Sequence, residues 1–145
     1  NVHMQTTSFD RMRSKAAQAR GEQDEEQERG IYLGYSDNFR ENTVRRAGQA
    51  EQISSLINAT EYPLIVCGDF NDSPISYTHR VVGEGLNDAF VESGNGFGIS
   101  YNQNHFYFRI DNILLSKNLK SYRCTVDNTI KSSDHYPIWC YVAEK

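Results

Sequence analysis

The sequence lacks a long apolar run and an excess of basic charge, and each absence excludes a class of protein. No stretch of about eighteen apolar residues occurs, so no segment is predicted to cross a membrane, and no signal peptide is recognisable. The net charge of −4 leaves no basic footprint over the whole chain, which argues against tight, sequence-independent binding of nucleic acid. A nuclease is still compatible with this charge, because a bound cation and a few arginines can balance phosphate charge.

Cysteine is also scarce. Cys67, Cys124 and Cys140 lie in apolar segments and lack the close spacing of a metal site. We interpret them as small buried side chains, with a Cys124–Cys140 pair across neighbouring strands as the alternative. The 145 residues are enough for one hydrophobic core, and 38% hydrophobic content is compatible with a folded domain.

The chain begins in a strand-like stretch, Asn1-Val2-His3-Met4, without an initiator methionine. We therefore expect a piece of a longer protein: one truncated domain over residues 1–145, whose compartment the sequence leaves unknown. Residues 8–41 are strongly polar and are predicted to form an insertion or mobile loop, with an exposed helix over residues 10–20. The alternative is a lid that meets a phosphate-bearing substrate through its basic residues, Arg11, Arg13 and Lys15.

Helix and strand patterns alternate in the first half of the chain, and strands follow one another in the second half. Residues 43–58 have apolar side chains at helical spacing, with Asn42 as the cap, and residues 64–67 are predicted to form a buried strand. Further strands are expected at residues 106–115, 122–127 and 136–142. The predicted fold class is therefore α/β of the α+β type, with an antiparallel meander last.

Polar residues follow the first of these strands directly. Asp69 and Asn71 are two residues apart, so in an extended chain both side chains would share one face. A carboxylate can accept a proton from water, and an amide can donate to developing charge. The alternative is a turn rich in Asp, Asn, Ser and Pro, with no chemical role.

Two further motifs carry an acid and an imidazole. Asp134 and His135 precede a strand, where the carboxylate suits a hard cation and the imidazole suits a phosphoryl oxygen; the alternative is a capping Asp beside a surface His. Asp111 lies in an apolar strand and needs a partner. We favour His135, because a carboxylate on one ring nitrogen fixes the tautomer. Arg109 is the alternative, although alternate strand residues face opposite ways.

The other histidines and the aromatic run are weaker candidates. His3 and Asn1 alternate and could add an imidazole and an amide to the same cleft, or be incidental residues near the terminus. His79 and His105 have no supporting spacing and are interpreted as structural or surface residues. Residues 101–108 offer aromatic side chains that could stack on a base, or pack as core. The central prediction is that positions 69, 71, 111, 134 and 135 converge.

In order along the chain, the motifs are Asn1-Val2-His3-Met4, Gly68-Asp69-Phe70-Asn71, Arg109-Ile110-Asp111 and Ser133-Asp134-His135-Tyr136-Pro137-Ile138. Together they resemble the endonuclease/exonuclease/phosphatase superfamily from Asn1 to Ile138, apart from the acidic insertion. The resemblance implies half or more of a four-layer, DNase I-like sandwich of mixed β-sheets flanked by helices. It also implies a metal-dependent phosphoester hydrolase, in which water attacks phosphorus in line without a covalent intermediate.

The resemblance also implies roles for individual residues. Asp69 would activate the water and Asn71 would stabilise the transition state. Asp134 would help to bind one or two Mg²⁺ or Mn²⁺ ions, and His135, oriented by Asp111, would contact the scissile phosphate.

His3 would be a further catalytic residue and Asn1 a phosphate-side residue, as in the deoxyribonuclease-like branch. The substrate would be nucleic acid, a phospholipid headgroup or a small phosphodiester.

One departure from the family pattern affects this interpretation. The family has a metal-binding glutamate and an asparagine ahead of the segment that matches Asn1, and neither is present here. We therefore expect this chain to be the C-terminal half of a catalytic domain, with an incomplete metal site. It should be inactive until the missing N-terminal half is supplied. The alternative is a catalytically silent binding or structural module that keeps the fold.

Overall fold

The computed structural model describes residues 1–6, 17–18, 25–101, 103 and 107–145, and only the backbone of residues 25–36. These ranges contain three helices and six strands. The helices are α1 (Glu25–Asn58), α2 (Tyr77–Val82) and α3 (Ala89–Ser93). The strands are β1 (Val2–His3), β2 (Ile65–Asp69), β3 (Asn87–Asp88), β4 (Asp111–Leu115), β5 (Leu119–Val126) and β6 (Ile138–Glu144).

Within the described part of the chain the strands form one four-stranded and one two-stranded sheet. The larger sheet has the order β1-β2-β4-β3, in which β1 is parallel to β2 and the other pairs are antiparallel. β5 and β6 form an antiparallel pair by themselves. The larger sheet therefore brings the first residues of the chain close to the residues just beyond position 110. They meet at the edge of the sheet where β1 and β2 end and β4 begins.

The hydrophobic core lies on both faces of the larger sheet, because side chains along β4 alternate between them. Leu114 packs on one face with α1 and α2, in a cluster of Met4, Ala50, Val66, Phe70, Val82 and Leu114. Ile113 and Leu115 pack on the other face, in a cluster of Ala89, Phe90, Ile113, Leu115, Leu119 and Cys124. Helices therefore cover one face, and α3 with the β5–β6 pair covers the other.

The long helix corrects the sequence prediction. α1 begins at Glu25 rather than at residue 43, so Asn42 is not a cap but a buried residue inside the helix, donating to Asn38 Oδ1 at 2.7 Å. The prediction relied on apolar periodicity, whereas the first five residues of α1 are Glu, Gln and Arg, which favour helix by propensity alone. Val44 and Leu56, expected on the apolar face, are exposed.

The helix predicted over residues 10–20 falls mainly outside the described residues, as does the proposed lid of Arg11, Arg13 and Lys15. Residues from Glu25 onward, which the prediction placed in the polar insertion, form the first part of α1.

The strand predictions are correct in position but differ in extent. β2 continues to Asp69, and Ile65 in it is exposed. β4 starts only at Asp111, and it pairs with β2 and β3 rather than with β5, so the expected meander is reduced to β5 and β6. The three cysteines are free thiols, without the Cys124–Cys140 bond. Among the described residues, no helix is both long and apolar enough to cross a membrane.

Candidate active site

Three neighbouring strands bring His3, Asp69 and Asp111 into one row. The β1–β2 ladder pairs His3 with Asp69, and the β2–β4 ladder pairs Asp69 with Asp111. Residues paired directly across strands point to the same face, with Cβ atoms about 5 Å apart. Backbone register therefore sets two carboxylates and an imidazole side by side at the end of the sheet.

Asn71 reaches Asp69 because the chain turns after β2. Its φ of 49° lies in the left-handed region, so the segment is not extended as the same-face prediction assumed. The Asn71 backbone N–H donates to Asp69 Oδ1 at 2.7 Å, and its side-chain Nδ2 donates to Asp69 Oδ2 at 2.8 Å and to the Met4 carbonyl at 3.0 Å. The turn and the acid–amide pair, predicted as alternatives, occur together.

Asp111 contacts His135, the partner that the sequence favoured. His135 Nδ1 lies 2.7 Å from Asp111 Oδ2, whereas Arg109 donates to Asp88 at 2.6 Å. The ring of Tyr101 packs against that of His135, with centroids 5.2 Å apart. With Nδ1 hydrogen-bonded to the carboxylate, Nε2 is the nitrogen that can meet a substrate.

The electrostatics of the two pairs follow from burial and from these contacts. Burial raises the pKa of Asp69, and repulsion from Asp111 adds to the rise, against the backbone hydrogen bond from Asn71. The hydrogen bond to Asp111 raises the pKa of His135 above its ordinary value of 6.5. Asp69 therefore holds a proton more readily than a typical carboxyl does, and His135 more readily than a typical imidazole does.

The remaining predicted site residues lie at the exposed margin. His3 Nε2 is 3.6 Å from Asp69 Oδ2, and 73% of its side chain is exposed. Asn1, two residues earlier in the chain, is exposed. Asp134 is exposed, accepts a hydrogen bond from Ser133 Oγ at 3.1 Å, and contributes to the raised pKa of His135.

A complete metal site does not lie within the described residues. No group of three His, Cys, Asp or Glu side chains able to hold an ion occurs among them. Asp69 and Asp111 already accept hydrogen bonds from Asn71 and from His135, which leaves Asp134 as the exposed carboxylate of the predicted set. These residues alone do not fit a divalent cation, which in proteins is held by several oxygen ligands.

Sequence analysis missed Ser100 and the contact of Tyr101 with His135. Ser100 is completely buried, and its hydroxyl accepts hydrogen bonds from two backbone N–H groups at the start of β4. A single serine in a glycine-rich loop gave no signal for this. Tyr107 and Phe108 are more than 45% exposed, so the interpretation of this run as core is wrong for both.

His79 and His105 were predicted to be structural or surface residues, and the structure describes only the first of them. His79 Nε2 lies 3.0 Å from Asp88 Oδ2 in a largely buried pair, which is a structural role. His105 lies outside the described residues.

Residues 13–135 match the Endonuclease/Exonuclease/phosphatase family. The chain belongs to this family. The match confirms the resemblance inferred from the four motifs, and the mixed sheets and helices are the DNase I-like fold expected of its members. No sequence among curated proteins matches this chain.

Solved structures of similar fold come from several bacteria. The endonuclease/exonuclease/phosphatase from Bacteroides vulgatus superposes with a TM-score of 0.59 at 19% identity, over 71% of this chain and 45% of that one. A functionally unknown conserved protein from Enterococcus faecalis V583 gives 0.57 at 19% identity, over 71% and 46%. A mannosyl-6-phosphatase from Bacteroides thetaiotaomicron gives 0.51 at 21% identity, also over 71% and 46%. The chain thus spans less than half the length of these structures.

Proposed function

We propose that the protein is a metal-dependent phosphoester hydrolase in which an activated water attacks phosphorus in line, without a covalent intermediate. The observation that carries the proposal is the alignment of Asp69 with Asp111 across β2 and β4, with Asn71 hydrogen-bonded to the first acid and His135 to the second. Family membership supports the general class of reaction.

Each of these side chains has a separate task in the proposed reaction. Asp69 orients the attacking water and accepts its proton. The Asn71 side-chain N–H groups donate to Asp69 and to the Met4 carbonyl in the absence of substrate. When substrate binds, Asn71 gives up one of these hydrogen bonds and donates to the phosphoryl group instead. His135, protonated and held by Asp111, donates from Nε2 to a phosphoryl oxygen, while His3 and Asn1 contact the phosphate from the β1 side.

The proposed cofactor is Mg²⁺ or Mn²⁺, as one or two ions. Asp134 would supply one ligand, with the other ligands outside the described residues. A bound ion neutralises phosphate charge in reactions of this class.

We further propose that the remaining part of the domain packs on this chain and that the chain alone is inactive. Aromatic side chains on β5 and β6 support this, because they are exposed and adjacent: Tyr122 pairs with Tyr141, whose ring is 5.7 Å from that of Trp139. Soluble proteins seldom leave a large apolar surface uncovered without a partner for it.

The substrate class is nucleic acid, a phospholipid headgroup or a small phosphodiester. The net charge of −4 gives no preference for nucleic acid over a phospholipid headgroup or a small phosphodiester. The mannosyl-6-phosphatase of similar fold adds sugar phosphates to the compounds worth assaying.

The test is hydrolysis of bis-p-nitrophenyl phosphate by the full-length protein, with and without Mg²⁺. We expect Mg²⁺-dependent turnover that falls by about 10²-fold or more in Asp69→Ala, because the group that accepts the proton is lost. The matched control is Asp127→Ala, which removes an exposed carboxylate that, within the described residues, accepts hydrogen bonds from Thr129; the backbone bond from Asp127 to the Pro137 carbonyl is kept, so the variant should keep full activity. Equal, metal-independent rates in all three proteins would instead support a catalytically silent module.

A further inference from the structure

Asp111 and His135 form a pair although they come from separate parts of the fold. Asp111 begins β4 in the larger sheet, whereas His135 precedes β6, which among the described strands pairs with β5 alone. No ladder between named strands therefore fixes the distance between the two side chains within the described residues. Ile138 and Cys140 of β6 pack against the cluster that contains Ile113 and Leu115 of β4, which brings the two segments close, but a nearer contact is needed to set the 2.7 Å between Nδ1 and Oδ2.

Ser100 provides that contact on both sides. Its hydroxyl accepts the backbone N–H of Ile110 and that of Asp111, both at 3.0 Å. Its carbonyl accepts the backbone N–H of Tyr136, the residue after His135, at 2.7 Å. The next residue, Tyr101, forms β-bridges with both His135 and Phe108. One buried residue is thus hydrogen-bonded to Asp111 itself and to the neighbour of His135.

We propose that Ser100 is a positioning residue that sets the separation of Asp111 and His135, a role that rests on the proposed phosphoester hydrolysis. The hydroxyl fixes the start of β4, and the carbonyl fixes the segment of His135. Because Ser100 is 0% exposed, water does not replace a lost hydroxyl easily. Loss of the hydroxyl leaves β4 paired with β2 but removes the contact that ties Asp111 to the segment of His135, so the distance between the two side chains is less well fixed.

The experiment compares Ser100→Ala with Ser121→Ala in the full-length protein. Ser121 is a matched control because it is also a buried serine, 1% exposed, and its hydroxyl partners are Ala89, Glu92 and Ser93, none of which belongs to the site. We expect Ser100→Ala to lower kcat by about tenfold to a hundredfold with little change in KM, as for a small misplacement of catalytic groups. Ser121→Ala should leave kcat within about twofold at a similar loss of stability.

Two further measurements separate positioning from general damage. Ser100→Thr keeps the hydroxyl and should recover most of kcat. In NMR spectra, the proton on His135 Nδ1 and the backbone amide of Asp111 should shift or exchange faster in Ser100→Ala, and should be unchanged in Ser121→Ala.

The outcomes distinguish this inference from the proposed function. If the wild-type protein has no metal-dependent activity, the proposed function fails, and the NMR comparison still decides whether Ser100 holds the pair. Equal kcat values and equal spectra for the two alanine variants would overturn the positioning role. So would a Ser100→Thr variant that is as stable as wild type but as impaired as Ser100→Ala.

Discussion

Asp111 raises the pKa of both Asp69 and His135, although the proposed reaction needs the first deprotonated and the second protonated. Its hydrogen bond raises the pKa of His135, which stabilises the imidazolium, and its charge adds to the burial that raises the pKa of Asp69. Asp69 must be deprotonated to accept a proton, whereas His135 must be protonated to donate one. Activity should therefore have an acid limb set by Asp69 and an alkaline limb set by His135.

The substitution Asp111→Asn should move both limbs of the pH profile of kcat/KM to lower pH. The hydrogen bond that raises the pKa of His135 and the repulsion that adds to the pKa of Asp69 are both lost. A pH–rate profile of the full-length protein, together with an NMR titration of the His135 ring, measures the two shifts. Asp127→Asn is the control and should leave both limbs in place; an unchanged His135 titration in Asp111→Asn would contradict the argument.

The same pair makes a stability contribution with a defined sign. Because the pKa of His135 is raised on folding, the contribution is fully present below pH 6.5 and is lost as pH rises through the raised value. The difference in unfolding free energy between wild type and Asp111→Asn should therefore shrink toward alkaline pH.

At the scale of elements, the parallel contact between β1 and β2 depends on Gly68. Gly68 pairs with Val2 and has a φ of 149°, and a Cβ there would lie 1.8 Å from the Val2 carbonyl oxygen. Only glycine allows this approach. β1 in turn carries His3 and leads to the Met4 carbonyl that accepts from Asn71, so this packing reaches the site.

The substitution Gly68→Ala should destabilise the protein by about 3 kcal/mol and lower kcat, because the new methyl group separates the strands. Urea unfolding monitored by circular dichroism measures the first effect, and the phosphodiester assay measures the second. Gly48→Ala is the matched control, since that glycine lies within α1 with nothing within 4 Å of an added Cβ. It should stabilise by about 1 kcal/mol, and a similar loss in both variants would refute the explanation.

At the scale of the whole molecule, Asp88 joins segments that are far apart in sequence. It ends β3, caps α3 by accepting from the backbone N–H groups of Phe90 and Val91, and accepts from the buried Arg109 side chain that precedes β4. His79 from α2 contacts it as well. Burial raises the pKa of Asp88, but hydrogen bonds with His79 and Arg109 outweigh it and lower the pKa to about 2.

This charge network should control unfolding in acid. The depressed pKa of Asp88 gives stability that is present above its ordinary pKa of 3.8 and is lost as pH falls through about 2, a loss of roughly 2 kcal/mol. Asp88→Asn should cost about 3 kcal/mol at neutral pH, because Arg109 is left buried without its counter-charge, and should remove this acid dependence. Urea titrations at several pH values measure both effects.

The control for Asp88 is an ion pair at the surface. Glu41→Gln breaks the exposed contact with Arg45 on α1 and should cost about 0.5 kcal/mol or less. Equal losses in Asp88→Asn and Glu41→Gln would show that burial of the Asp88 network does not matter.

Sequence alone determined the motifs of this protein and the places of several strands, whereas α2, α3 and β3 were not predicted. Apolar runs located β2, β5 and β6 to within a few residues, since a buried strand needs such a run. The order of four short motifs identified the family, and the apolar surroundings of Asp111 indicated that it needed a partner such as His135. Strands and short motifs can be predicted in this way because they depend on residues that are close together in the sequence.

Tertiary structure decided which groups meet and what holds them. Sheet order placed β4 beside β2, and only this register sets Asp69 opposite Asp111. Apolar periodicity likewise did not predict three other features: the start of α1 at Glu25, the hydrogen bonds of Ser100 and the Asp88–Arg109 pair. The physical reason is that a hydrogen bond between distant segments depends on the packing of the whole chain, whereas periodicity records only which side of an element faces the core.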